Sequence, residues 1–380
     1  MKDKQVGKLQ AAGVHMPQLD GLRAAAVLLV LYQHIVMHRL PDWFANFDYG
    51  GAGVTIFFVL SGFLISNILL GYKEQMTLEG FPVAHFIKLF YWRRSLRIFP
   101  LYFFLIGLMF ALPYFKPSYI WPYLTYTTNF LFFFENEWVE PFGHTWSLSV
   151  EEQFYLIWPF VILLVPKVKL EGVIWLFFGV GLAFKVFAFS HIYPEYGLVS
   201  SLTPAAFPCF GLGAWLAYYR RYTNPQFAFA DYTKWVVACC AFVAWYLNRN
   251  YQPASYGVLY ELCIAVLALW LVAKTSLGFG GPVGAFFASP FLRFLGQISY
   301  GLYLWHVPCI TFVRQLHLYW EAQGLSILGL GAKYNPDVIS TAFALWELGL
   351  TLCLSIASYY ALERPFLLLK DRRFGFVSAR

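Results

Sequence analysis

Long apolar stretches alternate with short polar segments along nearly the whole chain. A helix that spans a membrane needs about 20 predominantly apolar residues. Eleven stretches approach this length: 21–39, 50–71, 96–113, 119–134, 149–166, 172–190, 199–219, 232–247, 256–274, 295–315 and 340–362. No loop between them is long enough for a second folded domain. The pattern therefore predicts an all-α polytopic membrane protein, with residues 1–380 forming a single membrane-embedded domain.

The stretch 119–134 fits a spanning helix least well, because it is short, contains Pro122 and Asn129, and is rich in Tyr and Thr. The distribution of positive charge tests whether this stretch spans the membrane, since cytoplasmic loops carry most Lys and Arg residues. With a cytoplasmic N-terminus and 119–134 not spanning, 21 of the 27 Lys and Arg residues fall on the cytoplasmic side. We therefore predict about ten transmembrane helices plus one re-entrant or interfacial segment.

Both termini are then expected in the cytoplasm, with residues 1–18 and 366–380 as short tails. Residues 1–18 are polar, and no small-residue cleavage site follows them, so they do not match a signal peptide. The net charge of +7 is assigned to orientation in the membrane rather than to nucleic acid, because no basic run is long.

Composition excludes several classes of protein. Of the 380 residues, 59% are hydrophobic and 12% are charged, against about 25% charged residues in soluble domains. The aromatic content of 21% also excludes a disordered chain. The six cysteines lie in apolar stretches and form no CxxC pair, so neither a disulfide framework nor a metal site is expected.

Arg23 and His34 are ionisable residues inside the first apolar stretch. Such residues are expensive in a bilayer and are functional candidates by default. The two residues are eleven positions apart, which is close to three turns of an α-helix, so their side chains lie on the same face. Along the helix axis they are about 16 Å apart. This spacing suits an extended molecule with an anionic head at Arg23 and a reactive end at His34. A snorkelling arginine and a hydrogen-bonded packing histidine remain the alternative.

Three arginines, Arg93, Arg94 and Arg97, follow one another at the predicted cytoplasmic end of the third stretch. Arginine binds phosphate bidentately, so the cluster is a candidate site for a phosphate-rich ligand. Topology anchors or contacts to anionic lipids are the alternative.

Glu151 and Glu152 are adjacent acids at the predicted outer end of a spanning helix. They could serve acid–base chemistry, or they could simply be stabilised by the positive end of the helix dipole at the helix N-terminus. Neighbouring side chains point about 100° apart, so at most one faces a given site squarely. His306 is a second intramembrane histidine, at a depth close to that of His34. The sequence thus indicates that two histidines and a carboxylate converge in the outer half of the membrane.

Ser61 lies in a stretch rich in small residues, GGAGVTIFFVLSGFLI. Small residues let membrane helices approach closely, and this packing role is favoured for most of them. A serine is a nucleophile only beside a base, and no GxSxG elbow surrounds Ser61.

Six segments together resemble the acyltransferase-3 family of integral membrane acyltransferases. They occur in the family's order and read LDGLRAAAVLLVLYQH at 19–34, GVTIFFVLSGFLI at 53–65, WRRSLRIFPLY at 92–102, HTWSLSVEEQFYLIWP at 144–159, GQISYGLYLWHVP at 296–308 and LERP at 362–365. Any one of them would be a weak signal, whereas six in order are specific.

The resemblance implies a bundle of about ten spanning helices that forms an O-acetyltransferase of the bacterial inner membrane. Such enzymes move an acetyl group from cytoplasmic acetyl-CoA, a substrate rather than a bound cofactor, to a hydroxyl of an extracytoplasmic or lipid-linked glycan. The expected partners are therefore acetyl-CoA, a glycan or glycolipid acceptor and membrane lipids, without nucleic acid. Some members carry an SGNH-type esterase domain. None is expected here, so transfer would be direct or to a separate extracytoplasmic partner.

The family's motifs also imply residue roles. The Arg-ten residues-His signature falls on Arg23 and His34, and the RxxR motif falls on Arg94 and Arg97. With Arg93 beside them, these arginines are expected to bind coenzyme A. His34, Glu151 or Glu152, and His306 are expected to be catalytic. His34 would act as general base on the acceptor hydroxyl or would itself be acetylated first.

Two other classes remain open from the sequence alone. Intramembrane charges also suit a transporter or channel for an amphipathic anionic solute, which should ignore the thioester. A membrane scaffold without enzymatic activity should tolerate replacement of His34.

Overall fold

A computed structural model describes residues 16–37, 47–112, 119–193, 197–225, 233–250, 256–322 and 336–369. Within these ranges the chain forms helices joined by turns, and no strand occurs. The α-helices are α1 (Pro17–Leu31), α2 (Tyr49–Glu79), α3 (Val83–Ala111), α4 (Trp121–Leu124), α5 (Thr128–Glu135), α6 (Thr145–Leu164), α7 (Lys167–His191), α8 (Thr203–Tyr222), α9 (Thr233–Arg249), α10 (Glu261–Leu277), α11 (Gly281–Phe287), α12 (Pro290–Gln297), α13 (Ser299–Ala322), α14 (Pro336–Ser358) and α15 (Arg364–Leu369).

Each of the ten stretches predicted to span overlaps at least one of these helices. In the described part of the chain, seven helical segments are long and apolar enough to cross a membrane: Pro17–Val36, Tyr49–Glu79, Val83–Ala111, Thr145–Leu164, Lys167–His191, Gly257–Leu277 and Thr341–Leu369. The all-helical membrane class is thus confirmed, whereas the count of ten stays a prediction.

Several helices extend beyond their predicted bounds. Helix α3 begins at Val83 rather than at 96, so Arg94 and Arg97 lie near its middle and not at its end. The last helical segment continues through a π-helical turn, Tyr359–Glu363, into α15. The predicted tail 366–380 therefore starts inside a helix, and its remaining residues, like most of 1–18, lie outside the described residues.

The segment 119–134 forms two short helices, α4 and α5, of four and eight residues. At 1.5 Å per residue neither can cross a membrane, in agreement with the prediction that this segment does not span. A buried polar network accounts for its polar composition. The Asn129 amide donates to Thr203 Oγ1 at 3.0 Å, and the Gln153 amide donates to Asn129 Oδ1 at 3.0 Å. The network ties α5 to α6 and α8, so their polar groups are satisfied by protein and not by lipid.

Helix α2 is the centre of the bundle. It packs most extensively against α8 and also contacts α1, α6 and α10. The α2–α8 crossing depends on two glycines that let the backbones touch. A Cβ on Gly62 would lie 2.3 Å from the Phe210 carbonyl oxygen, and a Cβ on Gly213 would lie 2.1 Å from the Val59 carbonyl oxygen. Small residues at this crossing are therefore required by packing.

A pair of Gly→Ala variants tests the crossing. Gly213→Ala should lower the free energy of unfolding by about 1–3 kcal/mol, because the added methyl group meets rigid backbone. Gly179→Ala is the matched control: Gly179 is exposed on α7, and nothing lies within 4 Å of its Cβ position. It should be neutral or stabilising by up to about 1 kcal/mol. Thermal unfolding of the detergent-solubilised protein measures both. Equal midpoints would contradict the close α2–α8 contact.

Candidate active site

Two cavities inside the bundle collect most of the candidate residues. One, of about 110 Å³, is called here the arginine cavity; its polar lining is Arg23, Arg94, Arg97, Ser61, Ser147, Ser299, Glu151, Glu152, Tyr155, Tyr300 and Tyr303. The other, of about 510 Å³, is called the histidine cavity. Its polar lining includes Gln33, His34, Asp48, Glu140, His144, Tyr260, Glu261 and Tyr303.

The arginine cavity joins residues that are distant in sequence. Arg23 comes from α1, and Arg94 and Arg97 come from one face of α3, three positions apart. Arg23 donates to Asp20 Oδ1 at 2.9 Å. The Arg94 guanidinium carbon lies 5.0 Å from the centre of the Tyr155 ring. Three guanidinium groups thus converge on one small space, as binding of a phosphate-bearing ligand requires.

Arg93 does not join this group. Its Nη1 donates to the Tyr72 hydroxyl at 2.9 Å, and it is not among the residues that line the cavity. The cause is the helical period, because Arg93 points about 100° away from Arg94.

Glu151 and Glu152 lie in the arginine cavity and not beside the histidines. The Glu151 carboxylate accepts a hydrogen bond from Ser61 Oγ at 2.6 Å, and the Tyr155 hydroxyl donates to the same Ser61 oxygen at 3.1 Å. Both glutamates line the cavity although they are adjacent in sequence. The expected meeting of a carboxylate with two histidines is therefore not found for either glutamate.

The two predicted histidines do meet. The ring centres of His34 and His306 lie 5.0 Å apart. His306 is fully buried, and its Nδ1 bonds the Tyr303 carbonyl at 2.6 Å. His34 lies in the π-helical turn Tyr32–Val36, and its Nδ1 bonds the Val30 carbonyl at 2.9 Å. Because a carbonyl only accepts, Nδ1 is the donor in both rings, and Nε2 carries the lone pair of each neutral imidazole.

A third histidine, His144, completes the cluster and was missed by the sequence reasoning. Its ring centre lies 5.0 Å from that of His306, and it lines the histidine cavity. It is 6% exposed, and neither ring nitrogen meets hydrogen-bond geometry with any described residue. The available signal was its place in the segment HTWSLSVEEQFY, just before α6. The predicted span began at 149, which left His144 outside the membrane.

The two cavities are separated by a thin partition. Val54 and Phe58 of α2 and Tyr303 of α13 line both of them. The Tyr303 hydroxyl donates to the His144 carbonyl at 3.1 Å and shares a 2.6 Å hydrogen bond with Ser147 Oγ. Arg23 of α1 and His34 of the π-helical turn that follows it thus open into different cavities on opposite sides of this partition.

No group of three or more His, Cys, Asp and Glu side chains within the described ranges is arranged to hold a metal ion. A neutral imidazole offers one N–H donor and one basic nitrogen, so each ring of the histidine cluster can act as a base or as a hydrogen-bond donor.

Comparison with known proteins places the chain among acyltransferases. The sequence model of the acyltransferase-3 family, described as an acyltransferase domain, matches residues 16–361. The O-acetyltransferase OatA of Staphylococcus aureus is 29% identical over 341 residues, which cover 80% of this chain and 52% of that protein. The peptidoglycan O-acetyltransferase OatA of Listeria monocytogenes is 30% identical over 335 residues, covering 78% of this chain and 50% of that protein.

A putative O-acetyltransferase from another Staphylococcus aureus strain is 27% identical over 381 residues, covering 93% of this chain and 57% of that protein. The chain thus spans about half the length of the curated relatives it matches. No solved structure matches it.

Proposed function

This chain belongs to the acyltransferase-3 family, and from that membership we propose that it is a membrane O-acetyltransferase. The reaction moves an acetyl group from cytoplasmic acetyl-CoA to a hydroxyl of an extracytoplasmic or lipid-linked glycan. The names of the bacterial relatives, O-acetyltransferase and peptidoglycan O-acetyltransferase, support both the transferred group and a carbohydrate acceptor.

One observation carries the proposal: a cationic cavity and a histidine-rich cavity meet at a partition of three side chains. An enzyme that joins a donor from one side of a membrane to an acceptor from the other needs separate binding spaces that meet at the reacting atoms. The arginine cavity suits the anionic donor. The histidine cavity, larger and lined by Trp138, Trp146 and Tyr260, suits a sugar that stacks on aromatic rings.

In this proposal Arg23, Arg94 and Arg97 hold the donor through its phosphates, which are ligands that guanidinium groups bind bidentately. The three arginines line the cavity and are only partly buried, so a donor that they hold has its thioester on the arginine side of the partition. Arg93, bonded to Tyr72, has no part in donor binding.

On the acceptor side, His34 is the general base. Its Nδ1 is held by the Val30 carbonyl, which directs the basic lone pair to Nε2. His306 and His144 lie next to it and polarise the carbonyl under attack or bind the acceptor. A transient acetyl group on His34 itself is the second route open to the same residues.

The chain is an integral membrane protein, and we place it in the bacterial inner membrane with both termini in the cytoplasm. This orientation turns the arginine cavity to the acetyl-CoA pool and the histidine cavity to the outer surface. The acceptor of the acetyl group can be the glycan itself or a separate extracytoplasmic partner.

Replacement of His34 tests the reaction. Cells carrying His34→Ala should lose O-acetyl groups from their surface glycans, because removal of a general base costs about 10²–10⁴-fold in rate. Arg23→Ala should show the same loss through weaker donor binding. O-acetyl content is measured at matched abundance of each variant in the membrane.

Unchanged acetylation in both variants would contradict either the role of His34 as general base or the assignment of a surface glycan as the acceptor. Release of free coenzyme A by the purified protein separates those outcomes. An acetyltransferase releases it in response to acceptor, whereas a transporter for an anionic solute leaves the thioester intact.

Neighbouring arginines give a sharper test of donor binding. Arg94→Gln should raise the KM for acetyl-CoA by about 10- to 100-fold, the equivalent of one charge-assisted hydrogen-bonded contact of about 1.5–3 kcal/mol. Arg93→Gln is the matched comparison, because it removes an adjacent arginine whose side chain bonds Tyr72 outside the cavity. Its KM should change by less than about threefold. Equal increases in both variants would contradict the assignment of the cavity to the donor.

A further inference from the structure

Ser61 lies directly beside the partition, on the arginine side. It follows Phe58 by three positions and Val54 by seven, and these spacings put all three residues on one face of α2. Phe58 and Val54 line both cavities, whereas Ser61 lines the arginine cavity alone. At 1.5 Å per residue its Cα is about 4.5 Å along the axis from that of Phe58. Ser61 is therefore a hydroxyl group placed where the donor side ends.

The Ser61 hydroxyl has the partner that a nucleophile needs. It donates its hydrogen to Glu151 Oε1 at 2.6 Å, across 90 positions of sequence. A carboxylate at this distance is within reach to accept the proton as the oxygen attacks. The Tyr155 hydroxyl occupies one lone pair of the serine oxygen at 3.1 Å, and the second lone pair remains for the attack.

A positive group stands next to this pair. The Arg94 guanidinium lies over the Tyr155 ring, in the same cavity as Ser61. Its N–H groups are therefore close enough to donate to a ligand in that cavity. A donor beside a developing oxyanion stabilises the transition state of acyl transfer.

A purely structural serine looks different, and α2 provides an example. Ser66 is fully buried, accepts a hydrogen bond from Trp158 Nε1 at 2.8 Å and lines neither cavity. Serines inside helices also commonly bond the carbonyl four residues earlier, whereas the hydrogen bonds of Ser61 go to Glu151 and Tyr155 of α6. Packing explains Ser66 but leaves the orientation of Ser61 towards a carboxylate unexplained.

We propose that Ser61 carries the acetyl group between the two cavities, with Glu151 as its base. The inference rests on the proposed acetyltransferase function. In the first half-reaction Ser61 Oγ attacks the thioester carbonyl carbon and Glu151 takes the hydroxyl proton. The carbon–sulfur bond then breaks, and the proton passes to sulfur, so coenzyme A leaves as the thiol and an acetyl ester remains on Ser61.

In the second half-reaction the acceptor hydroxyl gives its proton to His34 and its oxygen attacks the acetyl carbon. The carbon–Oγ bond breaks, and the proton held by His34 ends on Ser61 Oγ. The sum is one acetyl group moved from sulfur to the acceptor oxygen, with no other reactant. Only an acetyl group has to pass Phe58 and Tyr303, and the pantetheine arm and the glycan never share one space.

The test traps the ester. Purified His34→Ala protein is incubated with radiolabelled acetyl-CoA and no acceptor, because the second half-reaction then stalls. We expect close to one acetyl group per chain, released coenzyme A in equal amount, and a peptide map that assigns the label to Ser61. The double variant Ser61→Ala, His34→Ala should carry no label.

Further variants separate chemistry from folding. Ser61→Cys retains a nucleophile and should carry its acetyl group as a thioester, which neutral hydroxylamine cleaves faster than an oxygen ester. Ser61→Ala in the otherwise unchanged protein should lose about 10³-fold or more in turnover, whereas Ser66→Ala should keep its turnover. Elution of each variant as a single species in detergent checks that it is folded.

Two results would overturn the inference: no label on Ser61 in the His34→Ala protein, or near-normal turnover in Ser61→Ala. If the unchanged protein still releases coenzyme A in response to acceptor, the acetyltransferase function stands and only the serine route fails. If the unchanged protein neither releases coenzyme A nor transfers acetyl, the proposed function fails first.

Discussion

The architecture of this protein follows from one constraint: a membrane supplies no hydrogen-bond partner, so each polar group inside the bundle must find one in the protein or face a cavity. Asn129 and Gln153 meet the constraint by pairing with each other and with Thr203. Lys185 meets it through an ion pair with Glu261. Arg23, Arg94, Arg97, Glu151 and Glu152 line the arginine cavity, and His34 and His144 line the histidine cavity. Polar groups that lipid would penalise are thus concentrated where a ligand can use them.

Helix α2 links this constraint to the packing of the bundle. One part of its surface consists of glycines that lie against the backbone of α8. Another part, made of Val54, Phe58 and Ser61, lines the cavities. Because the α2–α8 contact is backbone to backbone, it leaves little freedom to shift α2 along its axis. The position of the partition, and of the hydroxyl beside it, is therefore set by glycines that line neither cavity.

The partition bears on a problem that any membrane acetyltransferase must solve, which is to join a donor and an acceptor from opposite sides of the membrane without opening a channel. An open channel between a cytoplasmic thioester and an external sugar would also admit water and ions. A bundle that keeps its cationic and histidine-rich spaces apart can limit this leakage, and in the proposed route only an acetyl group passes between them. In the proposed function, the same division separates the residues assigned to the donor from those assigned to the acceptor. The two sets lie on different helices and face different cavities.

The sequence by itself determined the properties that depend on local periodicity and composition. Apolar stretches of membrane length gave the helical class, and the polar composition of 119–134 indicated that this segment does not span. The three-turn spacing predicted Arg23 and His34 on one face, and a π-helical turn at Tyr32–Val36 changes the helical period before His34. Six motifs in order indicated the family. These features are encoded within single helices or short segments, where 3.6 residues per turn and the transfer free energy of side chains decide the outcome.

Only the tertiary structure decided which helices meet. It put Glu151 and Glu152 with the arginines, turned Arg93 out to Tyr72, brought His144 to His306 and set Ser61 against Glu151. These pairings join residues on different helices or depend on the rotation of a helix about its axis. That rotation is fixed by contacts such as the glycine crossing of α2 and α8, which no local pattern specifies.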